Sequence, residues 1–246
     1  MPEQLSEDAP EARAAFLARH GEVVVKPARG EQGRGVSVGL TTPEEVEAAV
    51  EVARTQSAEV LVEEYFDGED LRLIVIDYKV VAAAIRRPAR VVGDGRATVR
   101  DLIAAQSRRR AAATGGESRI PLDAETERCV AAAGFSLDDV PEAGHSFRVR
   151  KTANLHTGGT IHDVTAETHL TLVEAAIAAA RAIEIPVTGI DLMVKGAARP
   201  EYVFIEANER PGLANHEPQP TAERFVDLLF PLSMPQVARE AQARTR

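Results

Sequence analysis

Two apolar runs near the C-terminal end, Val187-Thr-Gly-Ile-Asp-Leu-Met-Val194 and Glu201-Tyr-Val-Phe-Ile-Glu-Ala-Asn208, constrain this chain more than any other feature. Both are short and rich in β-branched and aromatic residues, the pattern of buried strands. Each also carries a carboxylate where a buried strand should have none: Asp191 in the first run and Glu206 in the second. Side chains alternate along a strand, so Glu206 and Asn208 leave the same face. An acid buried without a partner is costly. Asp191, Glu206 and Asn208 on neighbouring strands would form an oxygen-rich cage for a hard divalent cation. Mg²⁺ accepts few protein carboxylates and completes its shell with water and phosphate oxygens. The alternative is a set of solvent-facing acids on an edge strand.

Composition removes several classes of function. With 29 basic and 38 acidic residues the formal charge is −9, and aromatics are 4% with no Trp. A nucleic-acid binder needs net positive charge or stacking platforms, so none is expected. The local run Arg108-Arg109-Arg110 reads as a solvated helix end or loop. A single cysteine, Cys129, excludes an internal disulfide and a multi-thiolate zinc site, and reads as a small buried hydrophobe. No apolar run approaches the roughly 18 residues of a membrane span, and no signal peptide is evident, so the cytoplasm is the default expectation.

The order of elements reads as α+β. Pro10 to His20 forms a helix that stops at Gly21, and Glu22 to Lys26 a short strand. A glycine-rich turn leads into a second strand at Gly35–Gly39. Thr42-Pro-Glu-Glu45 predicts a capped helix through about Ala53, with Thr at the cap and Glu three residues on. Glu59–Phe66 is a strand, and Leu71–Ile85 a hairpin turning near Asp77-Tyr78-Lys79. A polar stretch follows, with helices near 98–109 and 123–133; it reads as an insertion of about residues 88–148. Thr171–Ile183 is the strongest helix, with apolar residues at helical spacing on one face. The two acid-bearing strands and a last helix at Thr221–Leu229 close the chain. The expected division is a small lobe at 1–58 and a larger lobe at 59–246.

Two further segments carry chemistry. Val24-Val25-Lys26-Pro27-Ala-Arg-Gly30-Glu-Gln-Gly33-Arg-Gly35 delivers a lysine into a glycine loop. Glycines let backbone N–H groups approach an anion, and the lysine adds a point charge. The lysine precedes the glycines, so this is not a P-loop, and the loop leads into a strand, so it is not a dinucleotide fingerprint. An ordinary hairpin is the bland reading. Downstream, Glu63-Glu64-Tyr65-Phe66 and Asp70 end a strand in a charged turn. That turn could offer backbone groups to a base edge and a carboxylate to ribose hydroxyls.

Taken in order, these segments resemble the ATP-grasp carboxylate–amine ligases: Val-Val-Lys-Pro with its glycine loop, Val-Glu-Glu-Tyr-Phe-x-Gly, Gly-Ile-Asp, and Phe-Ile-Glu-Ala-Asn-x-x-Pro-Gly. Val81-Ala-Ala-Ala-Ile-Arg86-Arg-Pro-Ala, Val92-Gly-Asp-Gly-Arg and Arg150-Lys-Thr-Ala-Asn154-Leu-His-Thr-Gly158-Gly159-Thr are similar to the cyanophycin-synthetase type. Gln106-Ser-Arg-Arg-Arg-Ala-Ala-Ala-Thr-Gly-Gly-Glu117 and Gly212-Leu-Ala-Asn-His-Glu-Pro-Gln-Pro220 resemble the N-acetylglutaminylglutamine synthetase branch.

The resemblance implies an ATP-grasp fold with mostly antiparallel sheets in two lobes, and amide formation through an acyl phosphate. The implied substrates are amino acids or dipeptides, such as N-acetylglutamine and glutamine. ATP and Mg²⁺ (or Mn²⁺) are the implied cofactors. Lys26 and the Gly30, Gly33 and Gly35 loop would hold phosphates, Glu63, Glu64, Tyr65, Phe66 and Asp70 the nucleoside, and Asp191, Glu206 and Asn208 the metal. Arg86, Lys151 and Arg210 are candidates for developing negative charge or a substrate carboxylate. Asn154, Gly158, Gly159 and His216 are candidates for the substrate side.

Other readings remain open: a cyanophycin-like ligase of different amino acids, or a nucleotide-binding module without catalysis. Family members carry another phosphate-binding lysine upstream, whereas the 25 residues before Lys26 include no lysine. The expected fold is therefore truncated at its N-terminal part, with a homo-oligomer or partner chain supplying that region.

Overall fold

The computed structural model describes residues 1–5, 9–29, 34–213, 216 and 218–233. It divides into two units, one of residues 1–67 and 86–160, the other of residues 68–85 and 161–246.

The first unit begins with helix α1 (Pro10–His20), which starts on its proline and ends where Gly21 turns left-handed. Strands β1 (Val23–Pro27), β2 (Ser37–Leu40) and β3 (Val60–Glu64) form an antiparallel sheet in the order β2-β1-β3. Helix α2 (Pro43–Arg54) lies between β2 and β3 in sequence and opens with the expected capping box: Thr42 accepts from the Glu45 N–H, and Glu45 answers the Thr42 N–H. Phe16, Leu17, Val46, Val50 and Ala53 from the helices bury one face of this sheet against Val23, Val25 and Val62. Alternation then sends Lys26 and Glu63 to the opposite face.

The rest of the first unit has its own core of Val91, Val99, Ile103, Val130, Phe147 and neighbours. It is built from strand β6 (Arg90–Val92), helix α3 (Val99–Ala113) capped by Thr98, helix α4 (Ala124–Ala132) capped by Asp123, and strand β7 (Ser146–Arg148), antiparallel to β6. The polar look of this segment in sequence hides β6 and β7, which are only three residues each.

The second unit is built on a sheet of five strands. Strands β4 (Glu69–Ile76) and β5 (Lys79–Arg87) form the predicted hairpin. Its two turn residues, Asp77 and Tyr78, both have positive φ (52° and 56°), the type I′ geometry whose twist matches flanking strands. Strand β8 (Thr160–Asp163) lies outside the strands expected from sequence; it is short and half polar. Strands β9 (Val187–Val194) and β10 (Tyr202–Asn208) pair antiparallel, and β9 also pairs antiparallel with β4. The strand order is β10-β9-β4-β5-β8. Helix α5 (Leu170–Ala182) lays Leu172, Ala176 and Ala180 on Leu71, Leu73, Val75, Ile190, Leu192 and Val194. Burial of each such large aliphatic side chain contributes about 1.5–3 kcal/mol. Helix α6 (Thr221–Leu229) packs Phe225 and Leu228 against Ile74, Ile76 and Ala82 on the other face of the sheet.

Candidate functional site

On the five-stranded sheet, register decides which polar groups meet. Arg72 of β4 stands opposite Asp191 of β9, and Asp191 stands opposite Glu206 of β10. Cross-strand partners share a face, so the three form one charged row across three strands. The row exists because β10 bulges between Phe204 and Glu206, putting Glu206 rather than Ile205 across from Asp191. The Arg72 guanidinium grips Asp191 with two parallel bonds, Nε to Oδ1 and Nη2 to Oδ2, both 2.7 Å. Asp191 is 3% exposed, and the fork is what makes an acid tolerable there. Asn208 donates from Nδ2 to Glu206 Oε1 at 3.1 Å and reaches Asp191 Oδ2 at 3.5 Å. Glu206 itself is exposed. Asp191, Glu206 and Asn208 thus share one polar patch.

As a donor set this patch suits a hard divalent cation: two carboxylates, one buried and one open to solvent, with an amide that can turn its oxygen outward. Among the described residues no group of three or more His, Cys, Asp and Glu that could hold a metal ion gathers. Arg72 is the residue that reading the sequence missed. The available signal was an arginine between Leu71 and Leu73 in an otherwise apolar strand; nothing local revealed its partner 119 positions away.

In the first unit, Lys26 Nζ pairs with Glu63 Oε2 at 2.7 Å, and Gln4 donates to Glu63 Oε1 at 2.6 Å. The Glu63 side chain is 6% exposed and the Lys26 side chain 25% exposed. Gly30 and Gly33 lie outside the described residues; Gly35 has φ 72° and opens the approach to β2. Glu64 ends β3, its N–H donating to the Glu3 carbonyl. Tyr65 follows, half-buried, its N–H donating to the Glu22 carbonyl. Burial, then the charges of Glu22 and Asp67, raise the Tyr65 phenol above its usual value, with Arg148 opposing, so the hydroxyl stays protonated. Phe66 is half-buried, as is Asp70 on β4 in the second unit.

Lys151 donates to the Gly39 carbonyl at 3.1 Å and to Glu22 Oε1 at 3.2 Å, and its ammonium sits 5.8 Å from the centre of the Tyr65 ring. A Cβ at Gly39 would fall 1.8 Å from Lys151 Nζ, so this approach needs the glycine. Arg86 is half-buried near the end of β5, and Arg210, just beyond β10, is 91% exposed and 3.7 Å from Glu209.

The segment at 154–159 is a tightly held turn. Asn154 caps a short 3-10 turn (Leu155–Thr157) by accepting from the His156 N–H at 2.8 Å. Gly158 is left-handed at φ 92°, and a Cβ there would meet Ile120 Cγ1 at 2.4 Å. Arg110 donates to the Gly159 carbonyl and Ser118 to the Leu155 carbonyl. His216, in the second unit, is 4% exposed, and its carbonyl accepts from the Gln219 N–H. Cys129 is buried, which together with Glu125 pushes its thiol up to about 11 and argues against a nucleophile.

Comparison with known proteins fits this architecture. Residues 1–120 match the prokaryotic glutathione synthetase ATP-grasp domain, and residues 142–223 match the RimK-like ATP-grasp domain. Cyanophycin synthetase of Nostoc sp. (strain PCC 7120) is 37% identical over 222 residues, covering 85% of this chain and 25% of that protein. The chain therefore spans about a quarter of the length of the curated relatives of that name that it resembles. A bifunctional glutathione synthetase from Pasteurella multocida aligns over 94% of this chain and 34% of its own, at 26% identity and a TM-score of 0.57. A D-alanine–D-alanine ligase from Bacillus anthracis shares the fold over 98% of this chain and 64% of its own, at 15% identity and a TM-score of 0.54. With two ATP-grasp domain models matching successive stretches and solved ligases sharing the fold, the chain belongs to the ATP-grasp family.

Proposed function

We propose that this chain is the ATP-grasp portion of an ATP-dependent ligase that joins N-acetylglutamine to glutamine through an acyl phosphate. The observation that carries the reading is the Arg72–Asp191–Glu206 row with Asn208 beside it, an oxygen-donor patch held rigid on strands. In this reading a carboxylate oxygen of the donor attacks the γ-phosphorus of ATP, and the bond to ADP breaks. The amine of the acceptor then attacks the acyl carbon, phosphate leaves, and the amine gives up a proton.

Lys26, next to the glycine loop, neutralises phosphate charge. Asp191, Glu206 and Asn208 would hold Mg²⁺, which supplies charge neutralisation at the phosphate oxygens. Arg72 aims the Asp191 carboxylate by holding both of its oxygens. Glu63, Glu64, Tyr65, Phe66 and Asp70 serve the nucleoside. Arg86, Lys151 and Arg210 serve a substrate carboxylate, with Asn154, Gly158, Gly159 and His216 on the substrate side. The small lobe corresponds to residues 1–58, and a homo-oligomer contact or partner chain supplies the remaining phosphate ligands, in the cytoplasm.

The 37% identity to a cyanophycin synthetase favours a second reading, a ligase of other amino acids with the same chemistry. Calorimetric titration with a non-hydrolysable ATP analogue and Mg²⁺ is the first test, with saturable binding that EDTA removes as the expected result. ADP release assayed with N-acetylglutamine and glutamine, against other amino-acid pairs, then separates the two readings. No Mg²⁺-dependent nucleotide binding, by the chain alone or by the assembly that completes the phosphate site, would refute both.

A further inference from the structure

The first unit contains a cleft of about 610 Å³ that involves none of the residues assigned to phosphate or metal apart from Gly35 at its edge. Its lining is apolar in part: Leu40 at the end of β2, Ala48 and Val52 on one face of α2, and Pro121. Its polar groups carry both signs. Arg34 and Glu117 are exposed on the lining, and neither side chain makes an ion pair among the described residues. Two other cations in the wall differ sharply in engagement. Arg128 is fully occupied, paired with Glu125 and donating to the Val38 and Gly39 carbonyls at the β2 edge.

Arg150 is not. It is 4% exposed, and its Nη1 donates to Asp123 Oδ1 at 2.5 Å and Thr126 Oγ1 at 3.1 Å. Its Nε is buried without a partner, and its Nη2 makes no hydrogen bond among the described residues. A buried guanidinium with unfilled donors is costly unless an anion completes it, and its planar fork suits a carboxylate. A set of small aliphatic groups with a few placed charges is the lining of a small-molecule site.

We propose that this cleft binds a free amino acid as its zwitterion. The α-carboxylate lies toward Arg150 and Arg34, the ammonium toward Glu117, and the side-chain stem over Ala48 and Val52. The choice of amino acids as the ligand class rests on the ligase reading; the cleft and its charges do not. The site selects between the two proposed substrates, because an N-acetylated amino acid has no ammonium to offer Glu117.

The test is nucleotide-free titration of the whole chain with L-glutamine and the other free L-amino acids, then N-acetyl-L-glutamine and L-glutaminamide, followed by saturation-transfer NMR. Saturable binding of a free amino acid is expected, weaker by about tenfold or more when either charge is removed from the ligand. Ala48→Phe, at an exposed position on the lining, should abolish that binding with an unchanged thermal midpoint. Glu117→Gln should weaken the zwitterion by about tenfold and leave the N-acetyl form unaffected. The site is refuted if no free amino acid saturates below about 10 mM, if the N-acetyl form binds as well as the zwitterion, or if Ala48→Phe changes nothing. ADP release reports the ligase reading separately. Release without nucleotide-free binding would remove the cleft and keep the ligase; binding with no release would do the reverse.

Discussion

The small sheet of the first unit and the large sheet of the second solve the same problem in opposite ways. Each buries one face under helices and carries a pair of opposite charges on the other, a face that the large sheet shares with α6. In the large sheet the buried partner is the acid: Asp191 is locked by both arms of Arg72, and the accessible group is a second acid, Glu206. In the small sheet the acid Glu63 is again buried, but the Lys26 ammonium and the Gln4 amide answer it, one on each oxygen, and the lysine is the more exposed member of the ion pair. One sheet therefore presents negative charge on a rigid base, the other positive charge on a mobile stem. A rigid carboxylate patch suits a metal, whose ligand distances tolerate little error. A lysine stem suits a phosphate, which is met as a point charge.

The sharpest way to break this comparison is Arg72→Met. It removes the bidentate partner of a carboxylate that is 3% exposed, and the chain should lose about 3–5 kcal/mol of stability in urea titration. A loss below about 1 kcal/mol would mean the fork is no more than a surface pair. Glu206→Gln should act on chemistry instead. The residue is exposed, so the thermal midpoint should hold while ADP release in the proposed ligase reaction falls about a hundredfold or more. Wild-type turnover would take Glu206 out of the metal patch. Lys26→Ala should weaken binding of the ATP analogue by about tenfold, with little change in the Mg²⁺ requirement.

Two smaller effects sharpen the contrast between engaged and available groups. Cys129 titrates at about 11 in place of 9.0, so at pH 8 its alkylation by iodoacetamide should be about a hundredfold slower in the native chain than in urea. Glu45 is held below its ordinary 4.5, mainly by the Thr41 N–H and against desolvation. A carboxylate with a lowered folded pKa adds stability above about pH 4.5 that disappears as pH falls through the folded value. Glu45→Gln should therefore flatten the acid limb of the stability curve, measured by urea midpoints between about pH 3 and 6.

The elements encoded locally were legible in the sequence. The Thr42–Glu45 capping box, the helix beginning at Pro10, the hairpin turn at Asp77-Tyr78 and the two acid-bearing strands each announce themselves within a few residues. The shared face of Glu206 and Asn208 followed from strand periodicity alone. Long-range register did not follow. The bulge at Ile205 sets Glu206 across from Asp191, and nothing in Phe204-Ile-Glu206 marks it. Arg72 stayed hidden because its partner is distant in the chain, and β6, β7 and β8 because strands of three or four residues carry too little periodicity. Arg150 stands within a recognisable motif, yet its unfilled donors depend on Asp123 and Thr126 reaching only one of its nitrogens.

The second unit is assembled from two separated stretches of chain, 68–85 and 161–246, and this bears on how the protein is made. During synthesis the β4–β5 hairpin emerges first, with the apolar face of Leu71, Leu73 and Val75 uncovered. Its covering helix α5 and its neighbour β9 lie about a hundred residues downstream, a delay on the order of ten seconds at ordinary ribosomal rates. The intervening stretch, 86–160, belongs to the first unit and can fold in that interval. A ribosome pausing between residues 85 and 170 would leave that apolar hairpin face bare for the length of the pause.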